Sequence, residues 1–132
     1  MTEQILLFSA LIIAAYLLGS VPFGLIFTKI SGRGDIRGIG SGNIGATNVL
    51  RTGSRKLAGL TLIFDAGKGA VTVAVAGYFA GSQMAAVAGL LVVTGHCFPI
   101  WLKFFGGKGV ATSLAVFATL DLRLGGLFVL VW

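Results

Sequence analysis

Four apolar stretches, each bounded by glycine or charge, leave this chain few ways to fold. They run from about Ile5 to Thr28, Leu57 to Phe79, Ala85 to Trp101, and from Val110 onward. As a helix the first would be about 36 Å long at 1.5 Å per residue, enough to cross a hydrocarbon core of about 30 Å with some tilt. Only 11% of the 132 residues are charged and 56% are hydrophobic, whereas a soluble domain carries about 25% charged residues. The stretches therefore predict an all-α, multi-pass integral membrane helix bundle: a single membrane-embedded domain, residues 1–132, with about four transmembrane helices. A signal peptide cut near Leu18-Gly19-Ser20 competes for the first stretch, but its leading residues carry Glu3 and no Lys or Arg, which favours a retained span. Gly19, Pro22 and Gly24 predict a kink or an early end within it. The short Gly81-Ser82-Gln83 link predicts an antiparallel hairpin of the second and third spans. The fourth stretch holds Asp121 and Arg123 and then stays apolar to Trp132, so the domain reads as incomplete at its C-terminus.

Orientation follows from the loops. The first loop carries Lys29, Arg33, Arg37, Arg51, Arg55 and Lys56 against Asp35; the hairpin at 80–84 carries no basic residue; the third loop carries Lys103 and Lys108. Cytoplasmic loops concentrate Lys and Arg, so the first and third loops are expected in the cytoplasm and the N-terminus outside. Trp101, Phe104 and Phe105 suit an aromatic belt at the interface. The formal net charge of +6 thus belongs to two loops on one side. It points to membrane headgroups and phosphorylated ligands, not to nucleic acid.

Both loops are rich in glycine. Gly40, Gly42 and Gly45 match G-x-G-x-x-G, with Asp65 twenty residues further on, but no strand precedes them and Asp65 falls in an apolar helix, so a dinucleotide site does not fit. The physical basis of such loops survives: glycines let successive backbone N–H groups converge on an oxyanion. Ser41, Asn43, Thr47 and Asn48 can add hydrogen bonds, and Arg51 can grip a phosphate with two parallel ones. The competing reading is a flexible loop whose charges only set topology, and Arg33, Arg37, Arg55 and Lys56 suit it better than Arg51 does. In the third loop, Lys108 sits between Gly107 and Gly109 at the predicted start of a helix, where backbone N–H groups already favour anions. A lysine merely reaching for the interface is the alternative.

Asp65 and Lys68 lie three residues apart within the second span. Its apolar residues favour insertion by roughly −3 to −5 kcal/mol at about −0.3 to −0.6 each, while two central charges cost roughly +5 to +7. The pair must therefore face the bundle interior or a polar pocket. His96 and Cys97 close the third span; one histidine beside one cysteine makes no zinc site, and no metal or cofactor is expected. The loops hold no Ser-His-Asp set and no close acid pair, so electrostatic positioning would carry any chemistry.

Gly40-Ser-Gly-Asn-Ile-Gly-Ala-Thr-Asn-Val-Leu-Arg51 resembles the first signature of the bacterial acyl-phosphate:glycerol-3-phosphate acyltransferases. Leu62-Ile-Phe-Asp-Ala-Gly-Lys-Gly69 resembles that family's D-x-x-K-G segment, and Gly95-His-Cys-Phe-Pro99 followed by Phe105-Gly-Gly-Lys-Gly-Val-Ala-Thr112 its next block. The resemblance implies transfer of a fatty acyl group from acyl phosphate to glycerol 3-phosphate, giving lysophosphatidic acid at the cytoplasmic face of the bacterial inner membrane. It assigns Ser41, Lys108 and His96 to catalysis. Gly40, Gly42, Asn43, Gly45, Thr47, Asn48, Arg51, Asp65, Lys68, Gly107, Gly109 and Thr112 are assigned to substrate binding. Family members continue with further spans, a serine-containing segment and a His-Asn motif that are not in these 132 residues. A small membrane transporter or binding protein for phosphorylated anions is the alternative that the same loops allow.

Overall fold

The computed structural model describes residues 1–132, and all of its regular structure is helical. The first apolar stretch is two helices, α1 (Thr2–Gly19) and α2 (Phe23–Ile30), separated at Pro22 as the Gly-Pro-Gly cluster predicts. The break leaves the Val21 carbonyl outside the helical ladder, where the Lys68 ammonium reaches it (Nζ to O, 3.0 Å). After a long loop with a short helix α3 (Ala46–Leu50), α4 (Arg55–Cys97) begins at Ser54, whose hydroxyl accepts from the Leu57 N–H. At Gly81 α4 turns back through φ 82°, ψ 176°, a conformation that glycine adopts without steric cost. The two arms, 55–80 and 82–97, pack antiparallel, with the space a Gly77 side chain would take 3.5 Å from the Ala85 methyl. The hairpin expected at Gly81-Ser82-Gln83 is therefore present, with the turn on its first residue.

The fourth stretch differs from expectation. It is not one long helix but two short ones, α5 (Val110–Leu120) and α6 (Leu122–Val131), meeting at Asp121. Asp121 is extended (φ −159°, ψ 127°), and its carboxylate accepts from the Arg123 N–H at 2.8 Å, which starts a new helix in a new direction. Gly125 packs on Ala118 and the Phe117 and Phe128 rings meet tilted with centroids 5.5 Å apart, so α6 returns along α5. At about 1.5 Å per residue neither helix is long enough to cross a bilayer upright.

Polarity is distributed opposite to that of a soluble domain. Ile5, Leu6, Ile13, Leu62, Ile63, Val71, Tyr78 and Leu90 face outward, while Ser20, Thr28, Thr61, Asp65, Lys68, Thr72, His96 and Thr112 are buried. The buried threonines spend their hydroxyls within the protein; Thr28, Thr61 and Thr72 each donate to the carbonyl four residues back. Lipid tails give helices no hydrophobic reason to associate, so close van der Waals packing of small residues must do it. Gly19 and Gly95 supply it where α1 crosses the second arm of α4. A Cβ on Gly95 would lie 2.9 Å from the Ser20 nitrogen and 3.1 Å from the Gly19 carbonyl carbon. One on Gly19 would lie 2.8 Å from Val92 Cα. Tyr16 pins the same crossing by donating from its hydroxyl to the Phe98 carbonyl at 2.7 Å. This places the two ends of α4, the α1–α2 break and both glycine-rich loops at one end of the bundle, with Met1 and Gly81 at the other.

Candidate active site

The first loop is anchored by apolar side chains. Ile36, Ile44 and Val49 are each at most 3% exposed and pack with Leu25 and Ala58 on the helices below. Asn48 organises what lies above them. Its amide nitrogen donates to the carbonyls of Ile36, Ile39 and Asn43 (2.8, 3.0 and 2.7 Å), and its oxygen accepts from the Ser41 N–H at 3.3 Å. At the loop's outer edge Arg37 clips Asp35 through Nε and Nη2. That guanidinium holds the Asp35 carboxyl well below the usual carboxylate range, so the clip stays charged at all pH values above that range.

The third loop lies flat on the end of α4. Gly106 and Gly107 donate their N–H groups to the Cys97 and His96 carbonyls, both at 3.0 Å. A side chain on Gly107 would overlap the His96 Nε2 edge, and one on Gly106 the His96 carbonyl. The chain can approach that closely only as glycine, and the approach fixes Lys108 and Gly109 at the start of α5.

The two loops meet over one cavity of about 450 Å³. Ser41, Asn43, Gly45, Thr47, Asn48 and Arg51 line it from the first loop, and Lys108 and Gly109 from the third. Asp65 and His96 face it from the two arms of α4, while Leu62, Val110, Leu114 and Trp132 form an apolar wall. Two cations and several hydrogen-bonding groups on one side, with carbon on the other, suit a ligand with an anionic head next to lipid.

Several expected binding residues have other positions. The Asn48 amide donors are committed to loop carbonyls, so its part in the site is to hold the loop. Lys68 lies outside the cavity lining: it ion-pairs with Asp65 Oδ1 (3.0 Å), donates to Val21 and covers the Phe23 ring at 5.5 Å. The Thr112 hydroxyl is buried and donates to the Asp65 backbone carbonyl at 2.9 Å. Gly40, Gly42 and Gly107 also lie outside the lining; Gly40 accommodates the Arg51 side chain against its Cα face, and Gly107 accommodates His96. No local sequence signal marks Trp132, Leu62 and Leu114 as lining: the two leucines look like any apolar span residue, and the fold-back of α6 that brings Trp132 to the cavity is not visible in hydropathy.

Residues 9–132 match the family model described as glycerol-3-phosphate acyltransferase. The chain belongs to the glycerol-3-phosphate acyltransferase family. Two proteins named glycerol-3-phosphate acyltransferase illustrate the relationship. That of Maricaulis maris is 56% identical over 117 residues, covering 89% of this chain and 54% of its own. That of Rhizobium etli is 53% identical over 131 residues, covering 99% and 63%. The chain thus spans a little over half to just under two thirds of these relatives. It also resembles the crystal structure of PlsY (YgiH), an integral membrane glycerol 3-phosphate acyltransferase, in its glycerol 3-phosphate form: TM-score 0.86, 39% identity, 95% of this chain and 63% of that one. The lysophosphatidic acid form gives a TM-score of 0.83 at 38% identity, covering 95% and 62%. Membrane embedding agrees with α1 and α4, both long and apolar enough to span.

The loop construction makes one outcome specific. Asn48→Ala would delete three hydrogen bonds and leave the Asn43 carbonyl without a donor, at about 1–3 kcal/mol, while the Ile36 and Ile39 carbonyls keep the Ile39 and Gly42 N–H groups and the long helices are untouched. Hydrogen exchange of the backbone amides across residues 36–48 is expected to speed up at least about tenfold with the helical circular-dichroism signal retained. Asn48→Asp should do the same, because it supplies no donor.

Proposed function

We propose that this chain forms the phosphate-binding part of an enzyme that acylates glycerol 3-phosphate from acyl phosphate, releasing lysophosphatidic acid and inorganic phosphate. The convergence of both glycine-rich loops, with Arg51 and Lys108, on one cavity beside an apolar wall is the observation that carries it. Ser41, Asn43, Thr47 and Arg51 take the glycerol phosphate, Arg51 with its planar fork. Lys108 faces the same space and offsets negative charge as it develops on the acyl carbonyl oxygen and on the departing phosphate. The primary hydroxyl oxygen bonds to the acyl carbon, and the bond from that carbon to the phosphate oxygen breaks. The leaving phosphate keeps the electron pair and accepts the hydroxyl proton, a reading supported by the lack of any carboxylate or histidine among the loop residues that line the cavity.

The acyl chain lies along Leu62, Val110, Leu114 and Trp132 toward the lipid. With Lys and Arg gathered in the two loops, the cavity faces the cytoplasm, the N-terminus lies outside, and the membrane is the bacterial inner membrane. Transport of a phosphorylated anion fits less well, because the only cation in mid-span, Lys68, is buried against Val21 and Asp65.

The deciding experiment is incubation of membranes bearing the protein at its full native length with acyl phosphate and labelled glycerol 3-phosphate. Labelled lysophosphatidic acid and stoichiometric phosphate release are expected; their absence removes the reading.

A further inference from the structure

Between the end of α4 and Lys108 lies a turn, residues 98–105, whose exposure the cavity does not explain. Phe98, Ile100, Trp101, Phe104 and Phe105 are each 50–81% exposed. Pro99 and Leu102 face the other way: Pro99 is buried, and Leu102 packs on the apolar anchor of the first loop. The Leu102 and Phe104 N–H groups donate to the Pro99 carbonyl (3.1 and 3.0 Å), and the Phe105 N–H donates to the Leu102 carbonyl at 3.1 Å. The turn is therefore a closed plate with an apolar outer face. Lys103 and Phe104 hold φ at 53° and 66°, the two positive values outside glycine. That region is strained for a residue with a Cβ. The strain turns the chain so that the Phe104 and Phe105 rings stay outward, which has no benefit in water.

Depth in the membrane determines what meets this face. Both arms of α4 run from the turn at Gly81, where the exposed Tyr78 and Phe79 suit one membrane boundary. At about 1.5 Å per residue the second arm advances about 24 Å from that turn, and the first arm about 39 Å. A hydrocarbon core of about 30 Å then ends between the two, so the basic start of the first arm clears the boundary while the plate stays at it. Val87, Leu90 and Phe98 share one outward face of the second arm, which carries lipid-facing surface into the plate without a break. Lys103, exposed and the one charge in the turn, has a stem long enough to reach the headgroups. We propose that residues 98–105 are an interfacial anchor, whose outer face lies against lipid where acyl chains meet headgroups and keeps the adjoining Gly106-Gly107 seat closed over the end of α4. This rests on membrane embedding alone and not on the reaction assigned to the cavity.

The test asks what the plate touches. The photoreactive residue p-benzoylphenylalanine replaces Trp101 or Phe105 in the full-length protein, held in nanodiscs of phosphatidylethanolamine and phosphatidylglycerol. Irradiation joins its ketone carbon to a neighbouring C–H carbon, and mass spectrometry identifies the product. A protein heavier by one lipid is expected at both positions. A cross-link to another segment of the same chain, a cross-linked dimer, or no adduct at all, as a face in water would give, overturns the proposal at either position. Serine at both Phe104 and Phe105 removes the apolar contact without touching the cavity lining. Hydrogen exchange across 103–108 in the same nanodiscs should then speed up by at least about tenfold, while leucine at both positions, which keeps the contact, should leave it within about threefold of the wild type. Equal exchange in the serine and leucine variants overturns the coupling of the plate to the seat.

Discussion

Replacing Arg51 or Lys108 with alanine is expected to lower kcat/KM for glycerol 3-phosphate by about 10²-fold each. Both side chains line the same cavity, and a charge-assisted hydrogen bond to phosphate in a partly enclosed site contributes about 1.5–3 kcal/mol. The two losses should differ in kind. In the proposed reaction Arg51 holds a phosphate that is equally charged before and during the acyl transfer, so Arg51→Ala should act mainly through KM. Lys108 is the side chain proposed to meet charge as it develops, so Lys108→Ala should also lower kcat. Arg51→Lys keeps the charge but loses the two-pronged contact and should recover only part of the deficit. Steady-state kinetics on the full-length protein in membranes checks this, and unchanged kcat and KM in both alanine variants would remove the phosphate assignment.

The second large effect is on folding. Gly95→Val should remove the folded state or lower its stability by at least about 3 kcal/mol, because a side chain there meets backbone on α1, not a movable side chain. The atoms it would strike, the Ser20 nitrogen and the Gly19 carbonyl carbon, belong to the helix whose end also carries the break that holds Lys68. Thermal unfolding in detergent micelles should show the loss as a fall in Tm and in the monodisperse fraction. Gly59→Ala and Gly67→Ala, on the same helix but facing open space, should change stability by no more than about 1 kcal/mol. Equal damage from all three would mean that helix propensity, not the crossing, is responsible.

The elements legible in the sequence are those whose signals are local. Pro22 lacks an N–H and Gly81 tolerates positive φ, so the break after Gly19 and the hairpin turn can be read from single residues. Convergence of the two basic loops is legible in part, because charge asymmetry places them on one side without saying that they touch. Contact depends on the glycine-to-backbone seating of 106–107 on the end of α4, which no local pattern encodes. Asn48 looks like a ligand contact for the same reason: an amide in a phosphate-type loop can face outward or inward, and only the positions of Ile36, Ile39 and Asn43 decide. Asp121 marks the bend of the fourth stretch only ambiguously. A lone aspartate in an apolar run is compatible with both a span and a helix cap, and the following Gly125-Gly126, which permits the fold-back, also suits a packed span.

The tether between Lys68 and Val21 has a consequence for biosynthesis. The first arm of α4 carries two charges into the bilayer, at a cost that its apolar residues barely meet. Val21 precedes Lys68 by 47 residues, so a chain made from its N-terminus has already delivered the accepting carbonyl when the lysine emerges. Asp65 arrives just before Lys68, whereas His96 arrives only with the second arm. Integration of the first arm is therefore expected to be assisted, with α1 and the following break offering the charged helix its first partner. The helix and break that precede the first basic loop are thus expected to make the charged helix behind that loop insertable.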